Sequence, residues 1–375
     1  MANHERGGYD ARQLKTPGKL LIGVETEVPL AIHALDRSTN ESVLLGRAET
    51  LQALAKLFEE KGFFVYADAV DASRNHSYWG ITEDASIDVW GQLKGRLKPL
   101  TDPYGSGTDL FNLDIGSPIE IKSPPMSIDT PDYEGAFRCM WDILRPYQIA
   151  NVEYWKMASQ HIHFSLLGSR DFPLDIAQKL AFCVVYFEKA LDELNPTMTD
   201  TADQKRPGGW RNCDRFKKRN RVRPMENGRV PLNDLPSCWT SIRATRRLQD
   251  LSALMCYDDN IYRRLHVPPA RSAEETLAWI AFTRMFIEAA EKMDQNKLDM
   301  AAERKISFLE ALGFRLVGTR EAQLRHEAEW AADPDNCEQT HRQLQQFMGC
   351  DIEFWSSILA VRDRMERDLA KLHSH

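Results

Sequence analysis

The hydrophobic pattern of the chain changes from strand-like in its first half to helical in its last third. Short apolar runs indicate strands at about residues 19–33, 63–69, 77–90, 117–125 and 159–167. Apolar residues at helical spacing indicate helices at about residues 47–62, 131–148, 173–194, 274–298, 301–313, 319–332, 337–348 and 351–372. Gly62 suits the end of the first helix. This order of elements predicts an α+β fold with an antiparallel-leaning sheet, flanking helices and a helical C-terminal third.

Composition and charge narrow the class of protein. The 375 residues are 43% hydrophobic and 27% charged, with a formal net charge of −7, so neither nucleic acid nor a membrane is expected as a partner. No apolar run reaches the roughly 18 residues that a membrane span needs. The seven cysteines are scattered and never spaced as Cys-x-x-Cys, which argues against a zinc site or a disulfide framework. We therefore expect a cytoplasmic protein with reduced thiols, and a homo-oligomer is left open.

Side chains of the kinds that bind metals alternate within four of the strand-like segments. The pairs are Glu25 with Glu27, Asp84 with Ser86, Glu120 with Lys122, and His161 with His163. Residues two positions apart in a strand lie on the same face of a sheet. If the segments are neighbouring strands, that face is lined with carboxylates and imidazoles. Carboxylate oxygens suit Mg²⁺, usually together with substrate phosphates, so the pattern predicts a divalent metal ion that holds a nucleotide.

Each pair also has a simpler explanation. Glu25 and Glu27 fit the solvated face of an antiparallel sheet, and the histidine pair fits two partly exposed side chains without a ligand. Glu120 and Lys122 fit an ion pair within the sheet, and Asp84 fits a turn. All four simpler explanations holding at once is less convincing than any one alone, because four such pairs would have to arise independently. Spacing alone therefore leaves both the metal site and the solvated face open.

The ordered motifs around these pairs resemble a known family. The motifs are Gly23-Val-Glu25-Thr-Glu27, then Trp79 with Thr82, Asp84, Ser86 and Ile87, then Glu120-Ile-Lys-Ser123-Pro124, then His161-Ile-His163. Together they resemble the amidoligase family of the glutamine synthetase and glutamate–cysteine ligase superfamily, whose members are ATP-dependent carboxylate–amine ligases. The resemblance runs from about residue 19 to residue 290 and is poor at 195–260. It implies a glutamine synthetase-like catalytic fold with a curved, largely antiparallel sheet.

The expected domain organisation follows from this resemblance and from the hydrophobic pattern. Residues 1–17 are expected to form a flexible N-terminal arm, residues 18–298 an amidoligase-like catalytic domain, and residues 299–375 a helical extension packed on the same core. Within the catalytic domain, residues 197–236 are basic and rich in Pro, Gly and Asn. The basic run at 205–223 is explained as a solvated surface, as a lid over ATP, or as a contact for a polyanionic partner.

The resemblance also implies roles for individual residues. The implied metal ligands, for Mg²⁺ with Mn²⁺ as an alternative, are Glu25, Glu27, Glu120 and His161. His163 is expected near the phosphates or the carboxylate substrate, where it would act in catalysis. Lys122 and Ser123 are expected to bind the ATP cofactor. Asp84 is expected on the substrate side, where it would take a proton from the ammonium group of the amine substrate.

Three further residues follow from the resemblance, with one departure from the family pattern. Arg264 corresponds to the arginine of the family's Glu-x-Arg segment, which implies that it neutralises the phosphoryl group in transfer. Tyr262 stands where the family has the glutamate, so one carboxylate ligand is absent or is supplied from elsewhere. Arg211 and Asn212 are the candidates for the arginine and asparagine that contact the cofactor.

The resemblance implies a specific reaction. Family members let a carboxylate attack the γ-phosphate of ATP, and an amine then displaces phosphate from the acyl phosphate to form an amide. The expected substrates are small-molecule carboxylates and amines, among them amino acids, polyamines and peptides. Two alternatives stay open. One is an ATP-dependent phosphotransferase like the guanidino kinases, and the other is a catalytically silent protein of the same fold that binds a nucleotide or another ligand.

Overall fold

The structure divides the chain into two compact units. It is a computed structural model that describes residues 20–36, 41–68, 78–83, 117–130, 132–148, 158, 160–166, 173–194, 235–246, 264–267, 270–314, 319, 321–322, 325 and 337–373. One unit comprises Met1–Gly168 and Val267–Leu277, and the other comprises Ser169–His266 and Ala278–His375. The predicted division into an arm, a catalytic domain to residue 298 and a helical extension stays a prediction, and residues 1–17 lie outside the described part.

The first unit is built on a mixed β-sheet. Its strands are β1 (Leu20–Leu30), β4 (Val65–Asp68), β5 (Trp79–Glu83), β6 (Ser117–Lys122), β7 (Met126–Ser127) and β8 (Gln160–Leu166). They follow the order β4-β5-β6-β1-β8, with β7 paired to β1. The β4–β5 pair is parallel and the other described pairs in this order are antiparallel. Two more strands, β2 (His33–Asp36) and β3 (Glu41–Leu44), form a separate two-stranded sheet.

These elements confirm the predicted α+β class and show that the sheet is mixed. Antiparallel pairing dominates because β6 and β8 flank β1 on its two sides, and both run against it. The glutamine synthetase-like fold and the curvature of the sheet stay predictions.

Strand β1 has two chemically different faces. Ile22, Val24, Val28 and Leu30 are almost completely buried. Because successive side chains of a strand point to opposite faces, these four apolar residues share one face. Glu25 and its odd-numbered neighbours therefore lie on the other face. The sequence of β1 thus builds one wall of the core and, in the middle of its reverse side, places the carboxylates of Glu25 and Glu27.

Two helices cover the apolar face of the sheet. They are α1 (Arg47–Glu60) and α2 (Asp132–Leu144), the second continuing into a turn of 3₁₀ helix. The ring of Trp79 on β5 lies 6.2 Å from the ring of Phe58 on α1 and 5.8 Å from that of Phe137 on α2, measured between centroids. Burying an aromatic side chain of this size contributes roughly 1.5–3 kcal/mol. These rings therefore fix both helices on the same side of the sheet.

The end of α1 agrees with the sequence-based expectation. Gly62 follows the helix with φ of +90°, in the left-handed region that favours glycine. Its backbone N–H donates to Glu59 O at 2.9 Å and thus satisfies one of the last carbonyls of the helix. A residue with a Cβ atom would be strained at this position, so Gly62 sets where the helix stops.

The second unit is mainly helical in its described part, and it also contains the first three residues of strand β9 (Arg264–Val267). Its helices are α3 (Leu174–Leu194), α4 (Leu235–Ala244), most of α5 (Ala273–Glu291), α6 (Gln295–Ala302), α7 (Phe308–Ala311), α8 (Cys337–Met348) and α9 (Ile352–His373). Aromatic rings on α3 organise this core. Phe182 lies 5.5 Å from Trp239 on α4 and 5.2 Å from Phe308 on α7, and Phe187 lies 4.9 Å from Phe347 on α8, all between ring centroids.

The helices predicted at 47–62, 131–148, 173–194, 337–348 and 351–372 are confirmed, with differences at their ends. The single helix predicted at 301–313 was wrong, because residues 303–306 form turns and bends and α7 begins anew after Ser307, whose hydroxyl accepts a hydrogen bond from the Glu310 N–H. The helix predicted at 319–332 lies mostly outside the described residues. The helix predicted at 274–298 is interrupted, because Asp294 caps a new helix by accepting a hydrogen bond from the Asn296 N–H. Helix α4 was not predicted, and its first two residues lie in the segment 197–236, which was expected to be a loop. The short strands β2 and β3 were not predicted either. Among the described helices, none has the length and apolar character that crossing a membrane requires.

Candidate metal centre

The polar face of the sheet collects the predicted metal ligands on neighbouring strands. We define the polar face by Thr82 on β5, Glu120 and Lys122 on β6, Glu25 and Glu27 on β1, and His161 and His163 on β8. In the strand register, Glu25 lies opposite Lys122 on one side and His161 on the other. Glu27 lies opposite Glu120, and Glu120 lies opposite Thr82. Directly opposite residues share a face, so three strand pairings bring these side chains together.

Glu25 lies between the two histidines of β8. Its Oε2 atom is 3.1 Å from His161 Nδ1 and 3.3 Å from His163 Nε2. The other ring nitrogen of His161, Nε2, lies 4.0 Å from Glu27 Oε1. A single imidazole therefore stands between two carboxylates, and a single carboxylate stands between two imidazoles. These contacts hold the ring of His161 in one orientation.

Glu120 has two neighbours on its other side. Lys122 Nζ lies 3.0 Å from Glu120 Oε2, and the hydroxyl of Thr82 donates to the same oxygen at 3.4 Å. The two charged side chains are shielded, with 22% of the Lys122 side chain and 13% of the Glu120 side chain exposed. The Glu120 carboxylate is thus held through one oxygen by a cation and a hydroxyl.

The ligand atoms of Glu25, Glu120 and His161 are close enough to share one metal ion. All three lie within 4.8 Å of one another. In an octahedral Mg²⁺ site with bonds of about 2.1 Å, ligand atoms are about 3 to 4 Å apart, so small side-chain rotations suffice. Two carboxylate oxygens and one imidazole nitrogen suit Mg²⁺ or Mn²⁺. Glu27 and His161 are each only 5% exposed, and carboxylates shielded in this way need a compensating positive charge.

A buried hydrogen-bonded chain supports β8 from the apolar side. The indole N–H of Trp141 on α2 donates to Thr276 Oγ1 at 2.9 Å, and the Thr276 hydroxyl donates to Gln160 Oε1 at 3.1 Å. Gln160 directly precedes His161 and is completely buried. Outer hydrogen bonds of this kind fix the position of the strand that carries a ligand.

Ser123 has backbone partners. Its hydroxyl accepts a hydrogen bond from the Val24 N–H at 2.9 Å and donates to Pro124 O at 3.2 Å, and its own N–H donates to Val24 O at 2.8 Å. Ser123 therefore ties the end of β6 to β1 beside Glu25. Its predicted role in ATP binding stays a prediction, as does that of Lys122.

Several predicted site residues lie outside the described part of the chain. Asp84, Arg211 and Asn212 are among them, together with Tyr262 and the basic run at 205–223. Arg264 is the first residue of strand β9 (Arg264–Val267), but its side chain is not described. The catalytic and cofactor-binding roles expected for these residues stay predictions.

The sequence-based expectation did not assign a role to Thr82. The hydroxyl of Thr82 faces Glu120 because the alternation within Trp79–Glu83 puts Gly80 and Thr82 on the same face. That alternation was visible in the sequence, but the partner strand was not. The network of Gln160, Thr276 and Trp141 was also not expected, since its members are far apart in the chain and lie on the apolar side of the sheet.

The functional interpretation of this site is based on its geometry. No protein-family model matches the chain, and no curated protein matches it. The carboxylates, imidazoles and ammonium group of the polar face, with the distances between them, therefore carry the interpretation.

Proposed function

We propose that this protein is an ATP- and Mg²⁺-dependent carboxylate–amine ligase, with Mn²⁺ as an alternative metal. The observation that carries the proposal is the convergence of Glu25, Glu120 and His161, whose ligand atoms lie within 4.8 Å of one another. The order of the surrounding motifs, which resembles the amidoligase family, supports this function over other uses of a metal. A protein that handles ATP needs a divalent cation beside the triphosphate, and the polar face supplies ligands for one.

Each residue of the polar face would have its own role in the reaction. Glu25, Glu120 and His161 would hold the metal, and Glu27 would orient the His161 ring through its Nε2 side. When bound, the divalent ion would supply positive charge next to the phosphates. His163, which is more exposed than His161, would face the phosphates or the carboxylate substrate. Lys122 would offer a second positive charge at the same face.

The proposed reaction balances in two steps. An oxygen of the substrate carboxylate forms a bond to the γ-phosphorus of ATP as the bond to the bridging oxygen breaks, which releases ADP. The nitrogen of the amine then attacks the carbonyl carbon of the acyl phosphate, phosphate leaves, and the nitrogen gives up a proton. The protein contributes mainly positioning and charge neutralisation. Arg264, Asp84, Arg211 and Asn212 keep their predicted roles in these steps.

The test is an assay of Mg²⁺-dependent ADP release over a panel of amino acids, polyamines and small peptides as carboxylate and amine substrates. Glu25→Gln and Glu120→Gln each remove one charge and one ligand oxygen while keeping the size of the side chain. A matched control is Glu59→Gln on α1, where the side chain is exposed on the other side of the sheet. We expect both site variants to lose at least about a hundredfold in kcat/KM, about 2.7 kcal/mol of transition-state stabilisation, and the control to keep its activity.

The same assay separates the alternatives. An amide product requires both substrates, whereas a phosphotransferase would accumulate a phosphorylated product without any amine, and a silent binding protein would release no ADP. ADP release at the same rate in the wild type, Glu25→Gln and Glu120→Gln would show that the polar face takes no part in the reaction.

A further inference from the structure

Lys122 contacts one of the carboxylates that the proposed metal would use. Its Nζ atom lies 3.0 Å from Glu120 Oε2, and Glu120 is one of the three residues whose atoms converge. The strand register puts Lys122 directly opposite Glu25, a second member of that group. The ammonium group thus approaches the cluster from the strand that supplies Glu120.

This ion pair differs from an ordinary surface pair. Only 22% of the Lys122 side chain and 13% of the Glu120 side chain are exposed, whereas the Arg138–Glu274 pair in the same unit is 52% and 68% exposed. Charges interact more strongly when water is partly excluded, and exposed pairs contribute little to stability. The Lys122–Glu120 contact is therefore expected to influence the energy of the cluster substantially.

In the absence of a metal, Lys122 reduces the repulsion between the carboxylates of the polar face. Glu25, Glu27 and Glu120 bring three carboxylates onto one shielded face, where their negative charges repel one another. The ammonium group of Lys122 compensates part of this repulsion. A divalent ion would compensate it more completely, and it would use the same Glu120 carboxylate that Lys122 contacts. Two cations on one carboxylate repel each other, so a bound metal ion weakens the contact of the ammonium group with Glu120 and favours its displacement.

We propose that Lys122 is an internal competitor of the metal ion, which holds Glu120 when the metal is absent and releases it when the metal binds. This inference rests on the proposed function, because it assumes that Glu25, Glu120 and His161 bind a divalent cation. Lys122 thereby lowers the affinity of the site for metal and stabilises the metal-free protein. Once released, its ammonium group is free to contact an anion bound beside the metal, which agrees with its expected contact to ATP.

The test is a titration of the full chain with Mn²⁺ in the absence of nucleotide, followed by electron paramagnetic resonance of the free ion at constant ionic strength. Lys122→Met removes the charge and keeps much of the side-chain length. Lys122→Gln removes the charge and keeps a hydrogen-bond donor for Glu120, and it serves as a second variant in case the methionine variant does not fold. We expect both to bind Mn²⁺ at least about tenfold more tightly than the wild type.

Two control variants separate competition from general electrostatics. Lys56→Met removes the same charge from the exposed side of α1, which packs on the opposite face of the sheet, and it should leave the Mn²⁺ affinity within about twofold of the wild type. Lys122→Arg keeps the positive charge at the site and should not raise the affinity.

Thermal unfolding supplies a second readout. Without metal, Lys122→Met should melt below the wild type, and Mn²⁺ should raise its melting temperature by more than that of the wild type.

The outcomes that overturn the inference are specific. Mn²⁺ affinity that is unchanged or lower in both Lys122 variants would show that Lys122 is not a competitor. Tight Mn²⁺ binding that survives Glu120→Gln would show that the metal does not use the Glu120 carboxylate. Because no nucleotide is present, tighter binding by the Lys122 variants would support the inference even if the assay of ADP release failed, so the two failures are distinguishable.

Discussion

At the scale of single residues, the polar face depends on which atom each side chain presents to its neighbour. The Oε2 atom of Glu25 is close to both His161 and His163, and the Oε2 atom of Glu120 is close to both Lys122 and Thr82. Each carboxylate is thus held through one oxygen by two neighbours. This arrangement orients the carboxylates before any ligand arrives, and pre-oriented ligands bind with a smaller loss of side-chain entropy.

Ser123 allows a residue-scale prediction because its contacts are to the backbone. In Ser123→Ala, the Val24 N–H loses its side-chain acceptor within a partly buried part of the sheet. Leaving such a donor without its partner costs about 1–3 kcal/mol, so the free energy of unfolding should fall by that amount. Urea denaturation of the wild type and the variant measures it, with Ser123→Thr as the variant that keeps the hydroxyl.

The same variant tests the predicted contact of Ser123 with ATP. If the hydroxyl serves only to join β6 to β1, the KM for ATP in Ser123→Ala should match that of the wild type, whereas a contact with ATP should raise it in Ser123→Ala and leave it unchanged in Ser123→Thr. A stability of Ser123→Ala equal to that of the wild type would contradict the structural role.

At the scale of elements, the parallel pairing of β4 with β5 places a tyrosine over a glycine. Tyr66 lies beside Gly80 in the register, and a Cβ atom built on Gly80 would lie 2.5 Å from Tyr66 Oη and 2.7 Å from Tyr66 Cζ. Real Cβ atoms do not come this close to other heavy atoms. Gly80 therefore leaves the room that the tyrosine ring occupies, next to the position of Lys122 on the neighbouring strand.

This contact predicts a coupled pair of mutations. Gly80→Ala should force the Tyr66 ring out of place and lower the free energy of unfolding by about 1–3 kcal/mol, the usual cost of overpacking. In Tyr66→Ala the obstacle is gone, so adding Gly80→Ala should cost less than it does in the wild type. A double-mutant cycle in urea measures the coupling. Strictly additive effects of the two changes would contradict the steric explanation.

At the scale of the whole molecule, buried thiols link stability to alkaline pH. Burial raises the pKa of the Cys183 thiol well above its ordinary value of 9.0, and it raises the pKa of Cys350 to about 11. Cys139, Cys183, Cys238 and Cys350 are all free thiols.

The direction of the pH dependence follows from these shifts. Above pH 9 the unfolded chain releases the proton of Cys350, while the folded protein keeps it until about pH 11. The stabilising contribution of the protonated thiol is therefore complete below pH 9 and is lost as the pH rises through 11. We expect the free energy of unfolding to fall over this interval. In Cys350→Ala the fall should be smaller, and an identical slope for wild type and variant in urea titrations would refute this assignment.

Much of the fold could be predicted from local patterns. The helices α3, α8 and α9 and the strands β1, β6 and β8 were expected close to their observed positions, because an amphipathic pattern persists over their whole length. Helix α4 and the break before α6 were not expected. Short elements carry few pattern repeats, and the cap by Asp294 is a single side-chain hydrogen bond that a long apolar pattern hides.

The sequence by itself determined which residues of each strand share a face. Side chains alternate along a strand through covalent geometry alone, so Glu25 with Glu27, and His161 with His163, had to point the same way once their segments were extended. The identities of the candidate ligands were therefore readable without a structure.

Only the tertiary structure decided which strands became neighbours and in which register. Residues of β1 and β8 that are more than a hundred positions apart in the chain meet because both strands bury their apolar faces in the core. Slipping the register by one residue would turn every ligand into that core. The contacts of Glu25 with His161, and of Glu120 with Lys122 and Thr82, arise from this packing of distant segments, for which local sequence patterns contain no direct signal.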